Sequence, residues 1–235
     1  MKILIISPID EAAIRHLASE HTVVCAYAAA GQELQTALAD AEVLVFRSGV
    51  NLSGELLDAA PRLQLLVRAG CGLDNIDLAR VKERGLQLVT IPQPGAKAVA
   101  EMAFAMMLAL ARNLLRADQL LRGGHWAKYE LEGYLLTGKT LGIVGAGQIG
   151  SRVGRLGAAW GMEVLGCIEG PATPALIQDY AQMGIQLATL DEVLERSDFL
   201  SSHVPLQEST RHLIDARRLA QVKPGAFLVN LSRGG

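Results

Sequence analysis

Short runs of aliphatic and β-branched residues recur along the chain, and the stretches between them carry apolar residues at helical spacing. Runs of this length bounded by turn residues read as strands buried on both faces, and their alternation with helices is the pattern of βα units around a parallel sheet. The first five strands are expected at Lys2–Ser7, His21–Ala26, Glu42–Arg47, Leu63–Ala69 and Gln87–Ile91. Helices fall between them at Glu11–Glu20, Gln32–Asp40, Ser53–Ala60 and Leu78–Glu83. Ser53 suits an N-cap because its hydroxyl accepts from a free first-turn N–H, and Gly85 suits a C-terminal cap. Five strands with short helices predict a flavodoxin-like lobe over residues 1–96.

The segment Pro92-Gln93-Pro94-Gly95 is expected to interrupt regular structure, since two prolines and a glycine oppose its continuation. The domain boundary is placed there, with a second domain over residues 97–235. A long helix, Lys97–Arg122, has small and apolar residues on almost every side, and such a helix needs cover all round. Strands resume at Thr140–Gly145, Glu163–Ile168, Ile185–Ala188, Phe199–Val204 and Phe227–Leu231.

A chain of 235 residues suffices for two such lobes, each with its own core. Its formal net charge of -2 offers no field for a polyanion, so nucleic acid is not an expected partner. Cys25, Cys71 and Cys167 lie far apart with no Cys/His spacing, so neither a disulfide framework nor a metal site is expected, and a reducing cytoplasm suits them. The N-terminal apolar run is broken by Pro8, Asp10 and Glu11, too early for a signal segment. Met102–Ala111 reaches about half the roughly 20 residues needed to span a bilayer, so no membrane partner is expected.

Chemistry enters at Thr140–Gly150, where a strand runs into Gly145-Ala146-Gly147-Gln148-Ile149-Gly150 and a helix is expected at Ser151–Trp160. In GxGxxG the first glycine makes the tight turn and the second admits a pyrophosphate. The third lets the helix pack on the strand, with its N-terminal N–H groups facing the anion. An acidic side chain about 20 residues on accepts the ribose hydroxyls in such folds. Glu169 stands at that distance, with no arginine or lysine beside it for a 2′-phosphate, which favours NAD over NADP.

Several motifs in order now carry a resemblance: Phe46-Arg47-Ser48, Arg68 to Asp77 (RAGCGLDNID), Ala98 to Met102, the glycine loop, His203-Val204-Pro205-Leu206 and Val229 to Gly234. Through essentially its whole length the chain resembles the D-isomer-specific 2-hydroxyacid dehydrogenases, and among them those acting on D-3-phosphoglycerate. The resemblance implies hydride exchange between NAD and a 2-hydroxy or 2-oxo acid. Arg233 is then expected to grip the substrate carboxylate, a role that suits a permanently charged guanidinium fork. Arg47 and Ser48 are expected to meet the substrate phosphate, with Lys128 helping from a neighbouring subunit. Ala69, Gly70, Cys71 and Gly72 follow a strand and are expected to aim backbone N–H groups at a carboxylate. Asp74, Asn75 and Asp77 are expected to hold this loop. His203 and Pro205, at a strand tip, are expected to line the nicotinamide site, without His203 serving as general base. Gly95 departs from the asparagine that relatives often carry at its position.

The resemblance further implies a histidine that removes the hydroxyl proton and a glutamate that tunes it, both downstream of Arg233. General acid–base catalysis contributes about 10²- to 10⁴-fold, so the 235-residue form is expected to turn over slowly. A dinucleotide sheet in the order 3-2-1-4-5-6 has six strands. The second lobe supplies five, so it is expected to be a doubly wound Rossmann lobe truncated after its fifth strand, which becomes an edge. Two readings follow: an NAD-dependent dehydrogenase dimerising through residues 97–122, or a non-catalytic NAD(H)-binding regulator on the same scaffold.

Overall fold

A computed structural model describes residues 1–70 and 72–233, and the chain divides into two compact units, Met1–Gly95 and Ala96–Gly235. In the first unit the elements run β1 (Lys2–Ile5), α1 (Glu11–Ala18), β2 (Thr22–Cys25), α2 (Gly31–Leu38), β3 (Val43–Phe46), α3 (Gly54–Asp58), β4 (Leu65–Arg68), α4 (Leu78–Glu83) and β5 (Gln87–Thr90). All strand pairs are parallel, in the order β2-β1-β3-β4-β5, the flavodoxin-like arrangement. The two-residue period of a strand divides the core between the sheet's faces. Leu4, Ile6, Leu44, Phe46 and Leu66 pack with Leu34, Leu38, Leu57 and Val81 of α2, α3 and α4. Ile3, Ile5, Val43 and Val45 face the other way, against Ile14 and Leu17 of α1. Ser53 caps α3 through its hydroxyl, and Asp77 caps α4 by accepting from Arg80 N–H at 2.9 Å. Asn75 donates its amide to the Val50 carbonyl, tying its loop to the connection after β3.

The expectation of an irregular segment at residues 92–95 is corrected. Helix α5 (Gln93–Ala111) begins inside it, and Pro94 sits in the first turn, where a missing N–H costs no helical hydrogen bond. The single helix expected to Arg122 is also corrected: it is two, α5 and α6 (Leu114–Arg122), parted at Asn113 with φ 51°. Returning chain explains the break. Tyr134 N–H donates to Ala111 O at 2.8 Å, and the Asn113 amide donates to Glu132 O at 2.6 Å. Asparagine is among the few residues that tolerate this left-handed conformation.

Nor is α5 covered on all sides. Ala100, Ala103, Phe104, Met107 and Ala111 enter the core, whereas Met102, Met106 and Leu110 are exposed. At 19 residues α5 is long and apolar enough, by length and composition alone, to cross a bilayer. Core helices pass the same test.

The second unit continues with β6 (Thr140–Val144), α7 (Gln148–Ala159), β7 (Glu163–Cys167), α8 (Pro174–Gln182), β8 (Gln186–Leu187), α9 (Leu190–Arg196), β9 (Phe199–Ser202), α10 (Ala216–Leu219) and β10 (Phe227–Asn230). Its parallel order is β10-β9-β6-β7-β8, which read from the β8 edge is 3-2-1-4-5 of the dinucleotide fold, with β10 as the fifth strand. One face of this sheet packs Leu141, Ile143, Val164 and Phe199 against α5 and Val153 of α7, and the other packs Val144, Leu165 and Leu200 against Val193 and Leu194 of α9. Helix α7 approaches the sheet closely because three of its residues lack side chains. A Cβ on Gly154 would meet Ile185 Cδ1 at 2.5 Å, one on Gly157 would meet Leu141 Cδ2 at 2.6 Å, and one on Gly150 would press into the Gly145 carbonyl. Strand β10 pairs with β9 and stacks Phe227 on Phe199, ring centroids 5.0 Å apart.

Candidate functional site

Strand β6 ends at the point where the sheet order reverses, and the chain there turns sharply into α7. Gly145 makes the turn at φ 89°, and a Cβ on it would also strike Val204 Cγ1 at 2.8 Å. Helix α7 starts at Gln148, three residues earlier than expected, with Gly147 as its N-cap. Gln148, Ile149 and Gly150 thus form its first turn, whose N–H groups lack helical acceptors. Nothing lies within 4 Å of a Cβ built on exposed Gly147, so the backbone there is open to close approach.

A cavity of about 910 Å³ opens beside this turn, lined among others by Gly145, Gly147, Cys167, Glu169, Glu192, His203 and Pro205. Its size suits a cofactor. Glu169 stands on its wall just past the end of β7, and no arginine or lysine is among the described residues lining it. The second carboxylate, Glu192, is already committed: it accepts from Thr189 N–H and hydroxyl at 2.8 and 2.9 Å in a capping box at the start of α9. Glu169 is thus the lining carboxylate outside that cap, and no cation is among the described residues of the wall. These residues fit NAD.

His203 follows β9, with its Nε2 at 2.8 Å from Ser201 Oγ. Burial pushes its pKa down to about 4, so the ring is neutral near pH 7. Its Nδ1 is buried and finds no partner among the described residues. The neutral ring forms part of the cavity wall. A smaller cavity of about 200 Å³ adjoins at Val204, Pro205, Thr210 and Leu213, and Arg233 lines it with Ser202, Asn230 and Ser232. Asn230 shapes this strand end by accepting from Ser232 N–H and donating to Arg233 O, each at 3.0 Å. The structure thus gathers the glycine loop, Glu169, His203, Pro205 and Arg233 at one end of one sheet.

Arg47, Ser48 and the loop after β4 lie together at the corresponding end of the first unit's sheet, because Phe46 pairs with Arg68 in register. Arg47 and Ser48 are exposed there. The carboxylate-binding loop needs correction. The N–H groups of Ala69 and Gly70 already donate to Phe46 O and Arg68 O, each at 2.9 Å, so neither is offered to a ligand. Arg68, buried beneath, donates from Nε to Gly72 O at 3.1 Å and lies 5.8 Å from the Phe46 ring centroid. Gly72 stays within the candidate loop, while Cys71 lies outside the described residues. Lys128 lies 5.3 Å from the Tyr129 ring centroid.

Sequence reasoning missed Cys167, Glu192 and the Ser201 partner of His203. Only Thr189 followed three residues later by Glu192, a capping-box spacing, offered a local signal.

Residues 104–235 match the family model described as the NAD binding domain of D-isomer specific 2-hydroxyacid dehydrogenases. The chain is 40% identical over 203 residues to hydroxypyruvate reductase of Thermotoga maritima, covering 86% of this chain and 64% of that protein. It is 37% identical to D-3-phosphoglycerate dehydrogenase of Methanocaldococcus jannaschii, covering all of this chain and 44% of the relative. The chain therefore spans less than two thirds of these curated relatives. Among solved structures, D-lactate dehydrogenase from Aquifex aeolicus complexed with NAD and lactic acid superposes with a TM-score of 0.84 at 30% identity, over 100% of this chain and 69% of that one. The match over more than half the chain, on a sheet of the corresponding order, places the protein in the D-isomer-specific 2-hydroxyacid dehydrogenase family, with the NAD-binding domain in its second unit.

Proposed function

We propose that the protein works as an NAD-dependent dehydrogenase exchanging hydride with a D-2-hydroxy or 2-oxo acid, D-3-phosphoglycerate being the foremost substrate. The observation that carries this reading is the cavity with the glycine loop at its base and Glu169 on its wall, with no cation among its described lining residues, adjoining the pocket lined by Arg233. NAD supplies or accepts the hydride when bound. Gly145 through Gly150 receive its pyrophosphate, Glu169 its ribose, and His203 and Pro205 flank the nicotinamide. Arg233 holds the substrate carboxylate with two parallel hydrogen bonds. Arg47 and Ser48, exposed at the end of β3, receive the phosphate, and Gly72 remains in the substrate loop. Residues 1–96 are the substrate domain and residues 97–235 the cofactor domain. Exposed Met102, Met106, Leu110, Leu114 and Leu115 on α5 and α6 support a homodimer through these helices, because an apolar surface of this kind gains by leaving water.

The test is reduction of 3-phosphohydroxypyruvate, hydroxypyruvate and pyruvate with NADH by the protein as its host makes it. The phosphorylated substrate should have a kcat/KM at least about tenfold above the others, a preference of about 1.4 kcal/mol, and Arg47→Ala should remove it by raising KM for that substrate alone. An equal preference in wild type, or a loss shared by all three acids in the variant, refutes the phosphate assignment. NADH binding without oxidation by any of the acids favours the regulatory reading.

A further inference from the structure

The carbonyl of Ala146, between the first two glycines of the loop, is held from outside the loop. The Tyr180 hydroxyl, on α8, donates to it across 34 residues of chain. On its other side Ala146 N–H donates to Cys167 O at 2.8 Å, extending the pairing of β6 with β7. The Ala146 methyl is fully buried, so backbone and side chain are all constrained. The Tyr180 ring packs on the core that contains Val153 and Ile185, a place a phenylalanine would fill as well. Packing explains the ring, and the bond to Ala146 explains the hydroxyl. Burial raises the phenol's pKa, so the oxygen keeps its proton and donates.

A trans peptide points its C=O and the next residue's N–H in opposite directions, and no described peptide is cis. Tying the Ala146 carbonyl to Tyr180 therefore fixes the direction of the Gly147 N–H. A flipped peptide would turn a carbonyl oxygen, with its partial negative charge, toward the bound anion.

We propose that Tyr180 is a positioning residue for the cofactor: its hydroxyl locks the Ala146–Gly147 peptide in the orientation that presents the Gly147 N–H to the dinucleotide pyrophosphate. This rests on reading the cavity as the NAD site. Tyr180→Phe in the full chain removes one oxygen atom and leaves the ring. The dissociation constant for NADH, followed by its fluorescence, should rise about fivefold, as expected for the loss of one neutral hydrogen bond. ADP-ribose, which carries the same pyrophosphate, should weaken by the same factor. The melting temperature without cofactor should fall little, and amide exchange over residues 145–150 should quicken. Unchanged affinity with a lower melting temperature makes the bond purely structural and overturns the proposal, as does a variant that fails to fold. Wild-type protein that does not bind NADH overturns the cofactor reading itself, whereas binding that is indifferent to Tyr180→Phe overturns only the role of Tyr180.

Discussion

Gly147 and Gly150 belong to one motif, yet their surroundings predict opposite defects when each is changed to alanine. At Gly150 the new methyl presses into the Gly145 carbonyl and lies 2.8 Å from Ile143 Cγ2, both on the strand and turn beneath the helix. Neither can move without shifting β6 against α7. Such overpacking costs about 1–3 kcal/mol, and the better helix propensity of alanine returns at most about 1 kcal/mol. The net loss of about 1–2 kcal/mol lowers the melting temperature by roughly 3–6 °C. At Gly147 the methyl meets nothing within 4 Å, and the backbone at φ -71° needs no glycine. Folding should change by less than about 1 kcal/mol, the difference between glycine and alanine as an N-cap. On the proposed function that methyl would stand where the pyrophosphate approaches the backbone, and NADH affinity should fall at least about tenfold, or 1.4 kcal/mol. Differential scanning calorimetry of the cofactor-free proteins and NADH titration by fluorescence separate the two effects. The assignment fails if Gly147→Ala binds NADH within twofold of wild type, or if Gly150→Ala melts no lower than wild type.

Other consequences are as direct. The folded His203 imidazole, held by burial at about 4, stays neutral in a range where the unfolded chain, near 6.5, takes up a proton, so stability is lost as pH falls from about 6.5 toward 4. By pH 5 this amounts to about 2 kcal/mol, which His203→Asn should abolish in urea unfolding compared at pH 7.5 and 5; equal pH dependence in both proteins argues against it. Glu169→Ala should weaken NADH roughly tenfold and leave NADPH unharmed, whereas an equal loss for both removes Glu169 from the ribose. Asn113→Ala should cost about 1–2 kcal/mol through its left-handed backbone and the lost bond to Glu132 O, and Asn113→Gly less; equal chemical denaturation of the two variants contradicts this account.

The strands were legible because each is a short apolar run with a periodic partner: Val43-Leu44-Val45-Phe46 is buried on both faces, a state that polar residues rarely allow. The glycine turn between β6 and α7 and the place of Glu169 just past β7 were legible because motif spacing follows from local geometry. The break at Asn113 was not, since what ends α5 there is chain returning at Glu132 and Tyr134. Pro94 misled because a helix tolerates proline in its first turn, and position within an element appears only once the element is known. The amides of Ala69 and Gly70 look available in sequence, and only strand pairing reveals that Phe46 and Arg68 accept from them. Tyr180 carries no local mark at all, because its hydrogen bond partner lies 34 residues earlier.

The three bare positions on α7 have a consequence for how this protein can change over generations. With Gly150, Gly154 and Gly157 set against Gly145, Ile185 and Leu141, the helix has no slack to slide or tilt, and most variation on that side disturbs folding before it can adjust ligand preference. The rim beyond β7, where the Glu169 side chain is exposed, carries no such burden. Drift toward a different dinucleotide is therefore expected to accumulate on the rim while the helix beneath it stays unaltered.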